Sequence, residues 1–367
     1  MTLKGAIFTR TGYTQTGWAS NKAGTTLAYN LNANYTTNAA VTLYPYWTID
    51  TYTVSYVDNY GATVPSAQTK TYGINLALSS TKPSRTGYIF SGWDTDSSAD
   101  TVVYTAGATY SANTAVTLYA VWTPNSYTYN ISYQSTTGVS LGTGTVTKNF
   151  GSIYSISPGE SFTGYTTPSA KNVAWDSTSA KTIIFEYTPI NYTISYTLNS
   201  GTVSTANKTS YTVETSAFTL NNPTRKGYTF KGWSGTNLTG DSNKTVTISK
   251  GSTGNKSYTA NWTINSHQFT LGTAAHVSTS GSTTSGLKNY GTTITLKATV
   301  DAGYGFAGWT SSNTNLISNQ SSANVSFSMP DGAITMTPSV SANQYTITYD
   351  IASNANSGDT LTNKPST

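Results

Sequence analysis

One short stretch, repeated along the chain, constrains its folding more than any other feature. It reads Pro83-Ser-Arg-Thr-Gly-Tyr-Ile-Phe-Ser-Gly-Trp93 and returns as Pro223-Thr-Arg-Lys-Gly-Tyr-Thr-Phe-Lys-Gly-Trp233. A trimmed copy runs Arg10-Thr-Gly-Tyr-Thr-Gln-Thr-Gly-Trp18, and a looser one Ala302-Gly-Tyr-Gly-Phe-Ala-Gly-Trp309. Trp18 to Trp93 and Trp233 to Trp309 are each about 75 residues, and Trp93 to Trp233 is about 140, close to two such steps. A fixed period of this kind marks an array of small repeats rather than one large core.

The stretch reads as a turn followed by a strand. Pro83 fixes its own φ and pushes the preceding residue toward extended geometry. Gly87 supplies the positive φ of a tight turn. Tyr88, Phe90 and Gly92 then alternate with Ile89, Ser91 and Trp93, the period of a strand. Strict pleating would leave Trp93 on the wet face with Ser91, whose counterparts are Lys231 and Thr16. We therefore expect a β-bulge at Gly92, and at Gly17, Gly232 and Gly308, turning each indole back to the core side.

Other strands frame this one. Opening strands are expected at Tyr52-Thr-Val-Ser-Tyr56, Tyr129-Asn-Ile-Ser-Tyr133, Tyr192-Thr-Ile-Ser-Tyr196, Gln268-Phe-Thr-Leu271 and Tyr345-Thr-Ile-Thr-Tyr349. Closing strands follow at Val41–Trp47, Val116–Trp122 and Thr182–Tyr187. Val116, Leu118, Ala120 and Trp122 share one face, the expected core side. Pro45 stands at the Ala120 position, which argues for an edge strand there. Ile74, Leu76 and Leu78 are expected on one face of a further strand. These marks divide the chain at 1–49, 50–125, 126–189, 190–265, 266–343 and 344–367. The first stretch lacks an opening strand and the last stops after one, so both read as partial repeats of a longer polypeptide. The connections between stretches are too short to be floppy, and neighbours are expected to be semi-rigid. The stretch 126–189 has no Gly-Trp strand.

Composition narrows the class. Charged residues are 9% of the chain, against roughly 25% in a typical soluble domain. Thr, Ser, Asn, Gly and Tyr fill the space, as in extracellular β-rich surface proteins. The net charge of +5 is spread without a basic cluster, which argues against a nucleic-acid partner. With no cysteine, disulfides, thiol catalysis and cysteine zinc sites are excluded. No apolar run reaches the roughly 18 residues of a membrane span, so no membrane insertion is expected of this segment. A repeat of about 75 residues buries only about 60% of its unfolded surface. A few large aromatics must therefore supply most of its stability.

The residues now carry a resemblance. The Pro-x-Arg-x-Gly-Tyr-x-Phe-x-Gly-Trp pattern at 83–93 and 223–233 and the strand ending Ala120-Val-Trp122 resemble the Listeria–Bacteroides repeat, the B-repeat of internalin-type surface proteins. The stretches 50–125 and 190–265 match well, 1–49 matches over its length, and 266–343 resembles the divergent version. The stretch 126–189 is closer to the related mucin-binding-protein-type repeat. The resemblance implies a mainly β chain, a tandem array of small β-grasp-like (ubiquitin-like) domains. It also implies a non-enzymatic stalk on a bacterial cell surface, contributing in some members to attachment, and it carries over no binding residue.

Candidate sites weigh against chemistry. His267 and His276 have no acidic neighbour in sequence, whereas a metal or general-base role needs a cluster. Asp94, Asp96 and Asp100 lack the glycine and distal glutamate of a calcium loop and read as a solvated turn. No Gly-x-Ser-x-Gly elbow is present. A Lys–Asn isopeptide link needs a buried carboxylate beside the pair, which the sequence does not display. No cofactor or metal is expected. The tyrosines are the more informative group: Tyr44, Tyr46 and Tyr119 lie on the closing strands, on the face away from the core, where exposed rings can stack on sugars or meet a protein. The expected partners are accordingly a host-surface protein or a glycan, met by a monomeric array. The rival readings are a carbohydrate-binding array and the non-catalytic tail of a secreted hydrolase.

Overall fold

The computed structural model describes residues 1–314, 316–317 and 320–348. Every regular element among them is a β-strand; none is a helix, and none could cross a membrane as a helix. Two compact bodies form, Met1–Pro189 and Ile190–Thr367.

One four-stranded plan recurs. In the stretch 50–125 the strand order is Gln68–Thr71, Thr51–Val57, Val116–Pro124, Tyr88–Asp94. The two central strands run parallel, with Val54 opposite Val116 and Tyr56 opposite Leu118, and both outer pairings are antiparallel. A ribbon of Leu76–Ala77 and Thr109–Tyr110 packs beside it. Val54, Leu118 and Trp93 of the sheet share one core with Leu78 and Tyr110 of the ribbon region. The same order, with the same parallel central pair, builds the sheets of 126–189, 190–265 and 266–343. The stretch 1–49 forms a three-stranded sheet, Tyr29–Asn30, Tyr13–Ala19, Tyr44–Ile49.

The expected bulges are present. Ladder register shifts between Gln15 and Gly17, Phe90 and Gly92, Phe230 and Gly232, and Phe306 and Gly308. The inserted residue rotates the next side chain inward, so Trp93 and Trp233 are 0% exposed and Trp309 1%. Glycine is required at the bulge because a neighbouring segment crosses it: a Cβ on Gly92 would lie 2.8 Å from the Tyr104 carbonyl oxygen.

Some expectations hold and others change. The closing strand lies at an edge in the first stretch, as expected from Pro45, and is central elsewhere. Pro338 is tolerated in such a strand because its parallel partner pairs only as far as Met336. Ile74 is exposed, because the chain turns at Gly73 (φ 70°) between two short strands. The stretch 126–189, without a Gly-Trp strand, still has a buried indole: Trp175 lies flat on Tyr129, with ring centroids 4.1 Å apart. Finally, Tyr345–Thr348 form no strand, and the rest of the stretch expected at 344–367 lies outside the described residues.

Candidate functional site

Three connections between successive sheets within the two bodies are built alike. Each begins with the Gly-Tyr turn of the motif. Its glycine carbonyl accepts a hydrogen bond from the first residue past the closing strand: Asp50 N–H to Gly12 O at 3.0 Å, Asn125 to Gly87 at 2.9 Å, and Asn265 to Gly227 at 3.0 Å. The carbonyl of that connecting residue then accepts from an aromatic residue of the following repeat. These bonds are Tyr72 to Asp50 at 2.9 Å, Phe150 to Asn125 at 2.9 Å, and Tyr290 to Asn265 at 2.8 Å. The aromatic ring lies directly on the glycine. A Cβ on Gly12, Gly87 or Gly227 would fall less than 3.0 Å from the ring of Tyr72, Phe150 or Tyr290. Those glycines are therefore fixed twice, by positive φ (76°, 81° and 75°) and by the ring they receive.

Rings reinforce the contact. Phe150 meets Tyr88 edge-on at 5.6 Å and Tyr127 at 5.9 Å, and Tyr290 meets Tyr228 at 6.2 Å. Each arriving ring is followed by a second glycine, Gly73, Gly151 or Gly291, which turns the chain away (φ 70°, 88° and 82°). The signal was in the sequence, in the recurring Tyr72-Gly73, Phe150-Gly151 and Tyr290-Gly291, but strand patterning gave no reason to pair it with the earlier glycine.

The junction after 265 adds a carboxylate. Asp331 accepts from the Gly227 N–H at 3.1 Å and from the Asn265 side-chain amide at 3.0 Å, and it pairs with His267 Nε2 at 2.8 Å. The bonds from Asn265 and then His267 hold its carboxyl below the usual carboxylate range. One expected histidine is thus part of a repeat junction. The other, His276, stacks on Tyr304 at 4.0 Å with Asp301 at 3.5 Å.

The remaining candidates have structural partners. Asp94 accepts from the Asp96 N–H and the Thr101 hydroxyl, and Asp96 from Ser98, so these carboxylates hold their loop. Among the described residues no three His, Cys, Asp or Glu gather as a metal set. Lys70, fully buried, donates to Thr71 O at 2.8 Å and to Asn113 Oδ1 at 2.9 Å. Asp94 is the one buried carboxylate among the described residues, and the bonds it accepts come from its own loop. Tyr44, Tyr46 and Tyr119 are half-buried. Tyr44 lies opposite Ala19 and Tyr46 opposite Gly17 in one sheet, and Tyr119 opposite Asp94 in another.

Repeated sheets joined by a repeated clasp define a tandem β-repeat protein. The Listeria-Bacteroides repeat domain matches residues 2–45, 52–121 and 192–261, half of the chain, and the divergent InlB B-repeat domain matches 271–344. The chain belongs to the Listeria-Bacteroides repeat family. It is 28% identical over 236 residues to a protein of Evansella cellulosilytica provisionally named a Gly-rich membrane protein, covering 60% of this chain and 26% of that one. A second protein of the same organism, provisionally named a membrane protein, is 30% identical over 205 residues, covering 53% and 29%. The chain thus spans less than a third of the length of either relative. Among solved structures, the Bacillus anthracis TIE protein aligns over 82% of this chain and 54% of its own, with 10% identity and a TM-score of 0.23. That value carries no structural argument.

Proposed function

We propose that this chain is a spacer region of a bacterial cell-surface protein, a non-enzymatic row of β-grasp-like repeats. It holds another part of its parent polypeptide away from the envelope and contributes to attachment to a host-surface protein or a glycan. The observation that carries the spacer reading is the clasp: the same two backbone hydrogen bonds and the same ring-on-glycine contact recur at three junctions. A linker that only tethers needs no such contact, whereas a spacer that transmits position does. The β-grasp-like reading is supported by the parallel central pair flanked by antiparallel strands, with a small ribbon sharing the core where a helix would otherwise pack. The names of the Evansella relatives support an envelope location.

Two measurements test this. Residual dipolar couplings from 50–125 and 126–189 should fit a single alignment tensor; two independent tensors would remove the spacer argument. Antibodies against 50–189 should label intact cells of the source organism, and labelling that requires lysis would place the chain elsewhere. Attachment through the closing-strand tyrosines is tested on glycan and matrix-protein arrays. Binding lost in Tyr119→Ala, or in Tyr44→Ala with Tyr46→Ala, supports it. Binding confined to glycans would turn the reading toward a carbohydrate-binding array.

A further inference from the structure

We propose that a cleft in the fourth repeat binds an aromatic side chain, tyrosine foremost, presented by another polypeptide. The inference comes from comparing two repeats of the same chain and does not depend on the spacer reading. The stretches 50–125 and 190–265 run in register, so Arg85, Tyr88, Phe90 and Trp122 correspond to Arg225, Tyr228, Phe230 and Trp262. In both, the arginine guanidinium lies on the motif tyrosine, 3.7 Å from the ring centroid. In both, the phenylalanine meets the tryptophan edge-on, at 5.8 Å and 5.5 Å.

The difference is on the other face of the arginine. In the second repeat Tyr60 covers it, with its ring centroid 3.4 Å from the guanidinium carbon, so that Arg85 is held between two phenols. The counterpart of Tyr60 is Ser200. There a cleft of about 490 Å³ opens, walled by Ser200, Pro223, Arg225, Tyr228, Phe230 and Trp262. Its size lies in the range of about 300–1,000 Å³ typical of ligand sites. Local backbone explains the exchange. Asn199 and Ser200 both have positive φ, 51° and 66°, a conformation that resists a bulky side chain, whereas in the second repeat the turn places its positive φ at Gly61 (84°).

The second repeat also shows what fits. Its occupant is a phenol on an exposed turn, Tyr60 being 64% exposed, so the site admits a ring carried by a polypeptide. A guanidinium is planar and weakly hydrated and attracts the face of a π system. A pyranose has no such face, which favours an aromatic residue over a sugar.

The test uses the whole chain and its indole and arginine side-chain NMR signals. On titration with N-acetyl-tyrosinamide, Trp262 Nε1–H and Arg225 Nε–H should shift saturably, while Trp122 Nε1–H, in the occupied counterpart, should not. N-acetyl-leucinamide and methyl β-glucoside should leave all three in place. Arg225→Ala should weaken the response of Trp262 about five- to tenfold. Asn199 and Gly201 already match Asn59 and Gly61, so L198D with S200Y rebuilds the second repeat's loop and should abolish the response by filling the cleft from within. Trp262 unmoved by tyrosinamide, Trp122 shifting equally, a response unchanged in Arg225→Ala, or a stronger response to the glucoside would each overturn the proposal.

Discussion

Replacing Phe150 by alanine should uncouple the second and third repeats while leaving both folded. The ring is half-buried, so its share of burial is about half the roughly 3 kcal/mol of a fully buried phenylalanine. It also loses edge-on contacts with Tyr88 at 5.6 Å and Tyr127 at 5.9 Å, together worth about 1 kcal/mol or slightly more. The sum is about 2–3 kcal/mol, or a factor of roughly 30–150 in the opening of the junction. Amide hydrogen exchange reads it directly, because the residue-150 N–H donates across the junction to the Asn125 carbonyl, and the Asn125 N–H donates to Gly87 beneath the ring. Both should exchange about 30–150-fold faster, while core amides such as those of Leu118 and Phe185 keep their rates. Gly87→Ala attacks the same contact from the other side, adding a φ penalty of about 1–2 kcal/mol to displacement of the ring. In the Phe150→Ala background only that φ penalty should remain, so the two changes should be strongly non-additive. Unchanged exchange at Asn125, or faster exchange throughout 126–189, would show that the ring merely fills the third repeat's own core. Simple additivity would show that glycine and ring do not act as one contact.

Further expectations follow from single residues. Trp93 Nε1 is buried without a hydrogen-bond partner, whereas Trp233 Nε1 donates to Asn222 at 2.9 Å. The counterpart of Asn222 is Lys82, so Lys82→Asn should stabilise the second repeat by about 1–2 kcal/mol and raise its unfolding temperature by roughly 5 °C or more; no rise in the thermal melt of the Trp93 indole signal would contradict this. Trp93→Ala should cost about 3–5 kcal/mol, comparable to the whole stability of so small a repeat. Limited proteolysis should then cut within 50–125 and spare 190–265. Asp331 is held below the usual carboxylate range by Asn265 and His267. Its contribution is therefore present above the unfolded value near about 4 and is lost as pH falls through the depressed folded value. The Gly227 amide signal should move in that acid window, and the Gly87 amide, whose clasp has no carboxylate among its bonds, should not.

The parts legible in the sequence were those where local pattern and packing ask for the same thing. The bulge was readable because Trp93 sits out of phase with Tyr88 and Phe90, and only an inserted residue restores it to the core. Trp175 was not readable as a core anchor, because it follows the short strand Lys171–Ala174 rather than a Gly-Trp strand. What recurs in the stretch 126–189 is the sheet order, which depends on pairing between strands far apart in sequence. Lys70 shows the limit from another side. Patterning assigns a lysine to solvent, yet Lys70 is buried because Asn113, far along the chain, accepts from its ammonium group. On the ladder its counterpart is Tyr211, since Tyr52 faces Lys70 and the matching Tyr192 faces Tyr211, one residue out of the register kept elsewhere. Tyr211 reaches the Gly254 carbonyl at 2.6 Å. Two unrelated side chains fill one position because each can deliver a hydrogen bond to a remote acceptor. The closing-strand tyrosines stand on the strands that the pattern assigns them, whereas the arginine cleft depends on Ser200 standing where Tyr60 covers Arg85, a contact no local pattern displays.

The clasp also explains how a chain so poor in charge can couple its repeats. Surface ion pairs would give junctions whose stiffness falls with salt. Here the contact shared by Gly12 and Gly87 consists of backbone hydrogen bonds and a ring that fits only where a Cβ is missing. Both terms are short-ranged and insensitive to ionic strength. The same contact sets a limit on sequence drift: the two surfaces that meet contain two glycines and one ring, and a side chain on the receiving glycine blocks the fit. The fourth and fifth repeats add Asp331 and His267 to that frame, so that one junction carries a titratable bond that the junction at Gly87 does not.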